Sequence, residues 1–336
     1  MSIRKVLLAI VIALVSFFVL KQTSNKNTSA SFHHDLPVIA ITQIIEHSAL
    51  DQEREGVIEA LAAAGFVDGK TIKIIYQNAQ GNISTATQIA TQMAGYHPKV
   101  MVALSTSSAQ AALPTCMAQH IPLVFSAVTD PLAAKLVKNL EKREEAVTGV
   151  SDALSVESQI DLLLQFLPTL KRLGVLYNAG EVNSVIMVKK LRDGAQKQGI
   201  QLVEATTNRT SEASIAMENL VGKVDAVYVP NDNTVVAAMN SIVQIAEKHK
   251  LPLFAADTGS VAAGAIATRG YDRRVLGKIA GDIVVRILKG ESAGAIPVAI
   301  NHPLFTLVNT RAAQKVGLAI PPVVEQTAIQ AHEEGK

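Results

Sequence analysis

Most of the side chains able to do chemistry in this chain sit in short polar loops that directly follow apolar runs. "STSSAQ" (105–110) follows "VMVAL" and places Ser105, Thr106 and Ser107 at the start of a helical stretch. The first N–H groups of a helix are unpaired and positively polarised, so with added hydroxyl donors the loop is a candidate seat for a carboxylate. Plain helix capping uses the same residue types and is the competing reading. Asp130 in "SAVTDP", Asp232 in "VPNDNT" and Asp257 in "AADTGS" also follow apolar runs. A carboxylate there either pairs with a ligand amine or closes an Asx turn or cap. The turn-like "TDP" favours the turn for Asp130, the ligand is the preferred reading for Asp257, and Asp232 stands open between the two. "NAGEVNS" (178–184) brings Asn178, Glu181 and Ser184 to a helix start, an arrangement that capping alone explains.

Catalysis finds little support. Glu46 and His47 in "QIIEHS" form a candidate acid–base pair, yet a surface or capping role accounts for them more simply. There is no G-x-S-x-G elbow, no Gly-rich phosphate loop with Lys, no H-E-x-x-H and no G-x-G-x-x-G after the first strand. Cys116, the only cysteine, lies on a half-apolar helical stretch and reads as a small core residue. The histidines do not fall into ligand spacing, so neither a metal nor a cofactor is expected.

The elements that must carry these loops alternate. From Leu36 onward apolar strand-like runs are followed by amphipathic segments, the pattern of parallel βαβ units. Apolar residues make up 49% and aromatics only 4%, which suits an α/β core packed with Ala, Val, Ile and Leu. Net charge is +2 without a basic stripe, against a nucleic-acid partner. At 336 residues two lobes are expected. The chain also repeats itself: "IPLVFSAVTD" (121–130) and "LPLFAADTGS" (251–260) share one grammar, as do "VALSTSSAQAA" and "VYVPNDNTVVAA". In open parallel sheets ligands bind outside the carboxyl ends of the strands, so a duplicated lobe offers strand-end loops from two sides.

Boundaries follow from composition. Residues 1–36 open with two basic residues, Arg4 and Lys5, ahead of an apolar run and a polar stretch, and read as a cleavable signal peptide or an N-terminal membrane anchor with linker. Residues 37–150 form the first lobe, completed by 258–290; 151–257 form the second, completed by 291–325; and 326–336 form a polar tail. Phe125, Tyr177, Tyr228 and Phe254 fall at strand ends, either as core or as stacking surfaces for an aromatic ligand, with core the preferred reading.

The segments "QIIEHSALDQEREG", "YQNAQGN", "PLVFSAVTDP", "VTGVSD", "LGVLYNAGEVNS", "LVGKVDAVYVPNDNTV" and "PLFAADTGSVAAGAIAT", in this order, resemble the substrate-binding proteins of ABC transporters, in particular members associated with tryptophan, tyrosine and phenylalanine. The resemblance implies a type I periplasmic binding-protein fold, with two Rossmann-like lobes of parallel sheet joined by a multi-strand hinge and closing on a small ligand. It implies delivery to a permease and an ATPase on other chains, no enzymatic activity, and contact with the membrane only through the N-terminal segment or the permease. Carried over residue by residue, the cleft comprises Ser105, Thr106, Ser107, Thr129, Asp130, Asn178, Glu181, Ser184, Asn231, Asp232, Asn233 and Asp257. Two departures stand out. No lipid-anchoring Cys follows the apolar run, which implies a free periplasmic protein or one tethered by its own helix. Thr258 stands where many relatives place an acidic residue. A ligand-sensing domain partnering a signalling protein is the alternative role of the same fold.

Overall fold

The computed structural model describes residues 36–141 and 146–331. The expected signal or anchor, residues 1–35, lies outside the described residues. Among the described residues no helix is long and apolar enough to cross a membrane, and no group of His, Cys, Asp and Glu is placed to hold a metal ion.

The first lobe is built on five parallel strands in the order β2-β1-β3-β4-β5. These are β1 (Val38–Gln43), β2 (Lys73–Asn78), β3 (Val100–Leu104), β4 (Leu123–Val128) and β5 (Val147–Ser151). β3, "VMVAL", is buried along its whole length, as expected of a central parallel strand covered on both faces. The second lobe repeats the scheme with β6 (Arg172–Tyr177), β7 (Gln201–Thr206), β8 (Ala226–Val229) and β9 (Leu253–Ala255), all parallel in the order β7-β6-β8-β9. A smaller sheet of β10 (Ala267–Gly270), β11 (Phe305–Val308) and β12 (Ile329–Gln330) follows, with β10 and β11 antiparallel.

The chain crosses between lobes at places other than those expected. Helix Thr258–Ala263 caps on Asp257 beside β9, and β10 pairs with β11, so 258–270 stay with the second lobe rather than completing the first. Helix Arg273–Leu288 returns to the first lobe. Residues 298–299 remain there too, because Ala299 N donates to Gly149 O and Ser151 N to Ala299 O alongside β5. The expected polar tail enters the small sheet: β12 pairs parallel with β11, and Ala331 N donates to Val308 O.

Phe125, Tyr228, Phe254 and Tyr177 are at most 8% exposed and belong to the core. Phe166 and Phe254 meet edge to face, with centroids 5.3 Å apart. Cys116 is buried against Met101 at 3.6 Å, and burial pushes its thiol pKa up to about 12, which makes it an inert packing residue.

Candidate functional site

A close helix–helix approach assembles a buried guanidinium. Helix α1 (Ser48–Ala63) packs on the returning helix α2 (Arg273–Leu288) through glycines. A Cβ on Gly277 would stand 2.0 Å from Glu53 O, and one on Gly56 would stand 2.2 Å from Arg274 O. Only hydrogen fits at either position, and the approach delivers Glu53 of α1 to Arg273 at the start of α2. Arg273 Nη1 donates to Glu53 Oε1 at 3.0 Å and to Asp152 Oδ2 at 2.6 Å, and Nη2 donates to Asn231 Oδ1 at 3.0 Å. Ser126 Oγ donates to Glu53 Oε2 at 2.5 Å, which occupies the second oxygen. Burial pulls the guanidinium pKa down, but Asp152, Glu53 and Asp257 outweigh it and hold Arg273 above its usual range. For Glu53 burial wins over Arg273, and its carboxyl is raised.

Between the lobes lies a narrow cavity of about 20 Å³. Three carboxylates line it, Asp152, Asp232 and Asp257, against one guanidinium, that of Arg273. His47 joins them. It caps α1 by accepting Leu50 N on Nδ1 at 3.4 Å, which leaves the proton of the neutral ring on Nε2. Burial holds its pKa below the ordinary value against the opposing pull of Asp257. Ala49, Leu50, Ala127 and Val236 supply the apolar wall. Ala127 reaches it because β4 shifts register after Phe125 and the residue takes a φ of 54°. Three buried polar atoms on lining residues have no partner: His47 Nε2, Asn183 Oδ1 and Arg273 Nε. Unpaired buried polar atoms are costly, and a cluster of them on one cavity calls for polar groups supplied from outside the chain.

Of the residues expected in the cleft, Thr129, Asn231, Asp232, Asn233 and Asp257 line this cavity. Asp232 and Asp257 also cap short helices, accepting Val235 N and Ser260 N at 2.8 Å, so each lines the cavity and caps a helix at once. The other expected residues do not line it. Ser105, at φ 100°, caps the helix Thr106–Ala118 by accepting Ser108 N, and Ser105, Thr106 and Ser107 are all buried away from the cavity. Asp130 accepts Ala133 N and pairs with Lys190 at 3.4 Å on the rim, as its turn-like sequence suggests.

Asn178, Glu181 and Ser184 instead hold the 231–234 loop in place. Asn178 N and Ser184 Oγ donate to Asp232 Oδ2 at 2.6 Å each. Glu181 accepts Asn233 N and Nδ2 on one oxygen, and Thr234 N and Oγ1 on the other. Burial, followed by the charge of Glu181, raises the Asp232 pKa to about 7. Sequence reasoning missed His47 as a cleft residue, together with Asp152, Asn183 and Arg273. Asp152 immediately follows β5 and so satisfies the strand-end rule, and Asn183 lies inside the "NAGEVNS" loop; Arg273 carries no such signal.

Residues 38–332 match the ABC transporter substrate binding protein family. The chain is 41% identical over 271 residues to the tyrosine-binding protein of Clostridioides difficile (strain R20291), covering 81% of this chain and 78% of that one. The ABC domain from Streptococcus pneumonia solved in complex with L-Trp superposes with a TM-score of 0.84 at 30% identity, over 88% of this chain and all of that one. A ligand-free, open substrate-binding protein with adhesive properties from Clostridium difficile gives 0.65 at 39% identity, over 88% of this chain and 100% of that one. These relatives are solute-binding proteins rather than enzymes. With the fold, the paired strand-end loops and the interlobe cavity in agreement, the chain belongs to the ABC transporter substrate-binding protein family.

Proposed function

We propose that the protein captures a free amino acid with an aromatic side chain in its interlobe cavity and delivers it to a membrane permease driven by an ATPase on other chains. The observation that carries this reading is the pairing of an unpartnered donor, Arg273 Nε–H, with an unpartnered acceptor, Asn183 Oδ1, on a wall that holds three carboxylates. A zwitterion answers both: its carboxylate accepts from Arg273, and its ammonium donates to Asn183 and faces Asp232 and Asp257. His47 Nε2–H is a further donor. Ala49, Leu50, Ala127 and Val236 then seat the side chain on aliphatic walls, since among the described residues no Phe, Tyr or Trp lines the cavity.

The tyrosine-binding relative and the L-Trp complex support the aromatic class. Residues 1–36 export the chain, as a cleaved signal or as a retained tether. Thermal-shift screening of the full chain against free amino acids, peptides, sugars and purines tests the proposal. Stabilisation by Tyr, Trp or Phe is expected, growing with ligand concentration as binding to the native state requires, and with no turnover. Stabilisation by a sugar or purine alone would end the amino-acid reading while leaving the fold intact.

A further inference from the structure

Asn231 stands apart from the other cavity residues because both ends of its side chain are already occupied, and both partners come from the opposite lobe. Its Oδ1 accepts from Arg273 Nη2 at 3.0 Å, and its Nδ2 donates to Asp152 Oδ2 at 3.1 Å. We propose that Asn231 is a positioning residue for ligand capture: its carboxamide clasps the Arg273–Asp152 pair, and the frequency with which this clasp forms sets the affinity for every ligand alike.

Each half of the clasp is built within its own lobe. In the first, Arg273 is fixed by Glu53 and by the glycine-packed helices, and Asp152 Oδ1 accepts Thr129 Oγ1 at 3.1 Å. In the second, Asn183 Nδ2 holds the Asn231 carbonyl at 2.7 Å. Arg273 is 4% exposed and Asp152 is 2% exposed, so with the lobes together no bulk water substitutes for the amide. Hydrogen bonds to charged groups from which water is excluded are among the stronger ones. Among the described residues other groups also meet across the cleft, including the charge of Asp257, which acts on Arg273 and His47. Lys190 and Asp130 pair on the exposed rim, where ion pairs contribute little. Gly259 of the second lobe approaches Ser48 so closely that a Cβ would stand 3.1 Å from Ser48 Cβ. Asparagine is the residue this geometry requires, since one end must accept from a guanidinium and the other donate to a carboxylate.

The inference rests on the solute-capture reading but is tested partly without ligand. Full-chain Asn231→Ala and the isosteric Asn231→Asp are labelled with dyes on exposed positions of the two lobes, and single-molecule energy transfer reads spontaneous closure with no ligand present. L-Tyr, L-Trp and L-Phe are then titrated calorimetrically. Expected are a reduced closed population in both variants, because Asn231→Ala removes both bonds and Asn231→Asp keeps an acceptor for Arg273 but sets a carboxylate against Asp152, and a loss of affinity of about 10- to 100-fold, equal for all bound ligands, because affinity scales with the closure-competent fraction. Saturating ligand should still close Asn231→Ala. Loss confined to one ligand with unchanged lobe populations would make Asn231 a direct ligand contact and overturn the proposal, as would unchanged populations and affinities. If the parent protein binds none of the three amino acids, the aromatic reading fails and the ligand-free arm alone decides the clasp. Asn231→Asp preserves side-chain shape, so it keeps the test informative if Asn231→Ala does not fold.

Discussion

Arg273→Met is the most demanding test of how the cavity is held together. Methionine replaces much of the stem but removes the one cation between Glu53 and Asp152, which are 0% and 2% exposed. Breaking a buried pair by deleting one partner costs about 3–5 kcal/mol, and with two carboxylates stranded the upper end applies. Against a total of about 5–15 kcal/mol for a typical native protein that loss is large. The penalty depends on pH in a definite direction. Burial already raises the Glu53 carboxyl despite Arg273, and without the cation it rises further. A group whose folded pKa is raised contributes stability at low pH that is lost as pH climbs through the folded value, so the variant falls further below the parent at pH 8 than at pH 5. Urea denaturation at both values reads this directly. Arg273→Met combined with Glu53→Gln should recover part of the loss, because the partners are in contact and their effects are non-additive. A penalty under about 1 kcal/mol at both pH values, against the range expected of a broken buried pair, or strict additivity in the double variant, would show that Arg273 does not hold these carboxylates.

Three further outcomes follow from the same geometry. Asp257→Ala removes a cavity carboxylate and a helix cap, so amino-acid affinity measured by calorimetry should fall by about 10- to 100-fold, on the scale of a charge-assisted hydrogen bond, with a modest drop in stability. The Asp232–Glu181 pair, with Asp232 raised to about 7, should make the parent lose stability as pH rises from the usual carboxylate range to about 7, by at most about 1.4 kcal/mol per pH unit; Asp232→Asn should flatten that slope in denaturation curves. Gly277→Ala forces a Cβ onto the Glu53 carbonyl and should cost at least about 1–3 kcal/mol as overpacking, and it should also weaken ligand binding by displacing Arg273.

Much of the fold is legible because buried parallel strands read as continuous apolar runs: "VMVAL" and "AVYV" are buried at every position. The strand-end rule then reaches Thr129, Asn231, Asp232, Asn233 and Asp257, which do line the cavity. It cannot separate the residues of a loop that face the cleft from those that hold the loop. Asn178, Glu181 and Ser184 are polar and correctly placed along the chain, yet their hydrogen bonds go to the neighbouring 231–234 segment. Ser105 to Ser107 fail for a similar reason, being consumed in a buried helix start. Arg273 is illegible because its role depends on Glu53, 220 residues away, and on glycines whose meaning appears only when two helices touch. The crossings are hard to read because β10 is short and antiparallel to β11, outside the βαβ rhythm that organises the rest.

On the proposed function, a zwitterionic head group completes the cavity's unpaired donor and acceptor. Calorimetric titration of the full chain with L-tyrosine, with tyramine, which lacks the carboxylate, and with the deaminated acid, which lacks the ammonium, tests it most directly. Tyrosine should bind, tyramine should lose its contact with Arg273, and the deaminated acid should bind weakest because it brings a bare anion beside Asp152 and Asp257. Equal affinity for tyrosine and either truncated analogue would contradict the account.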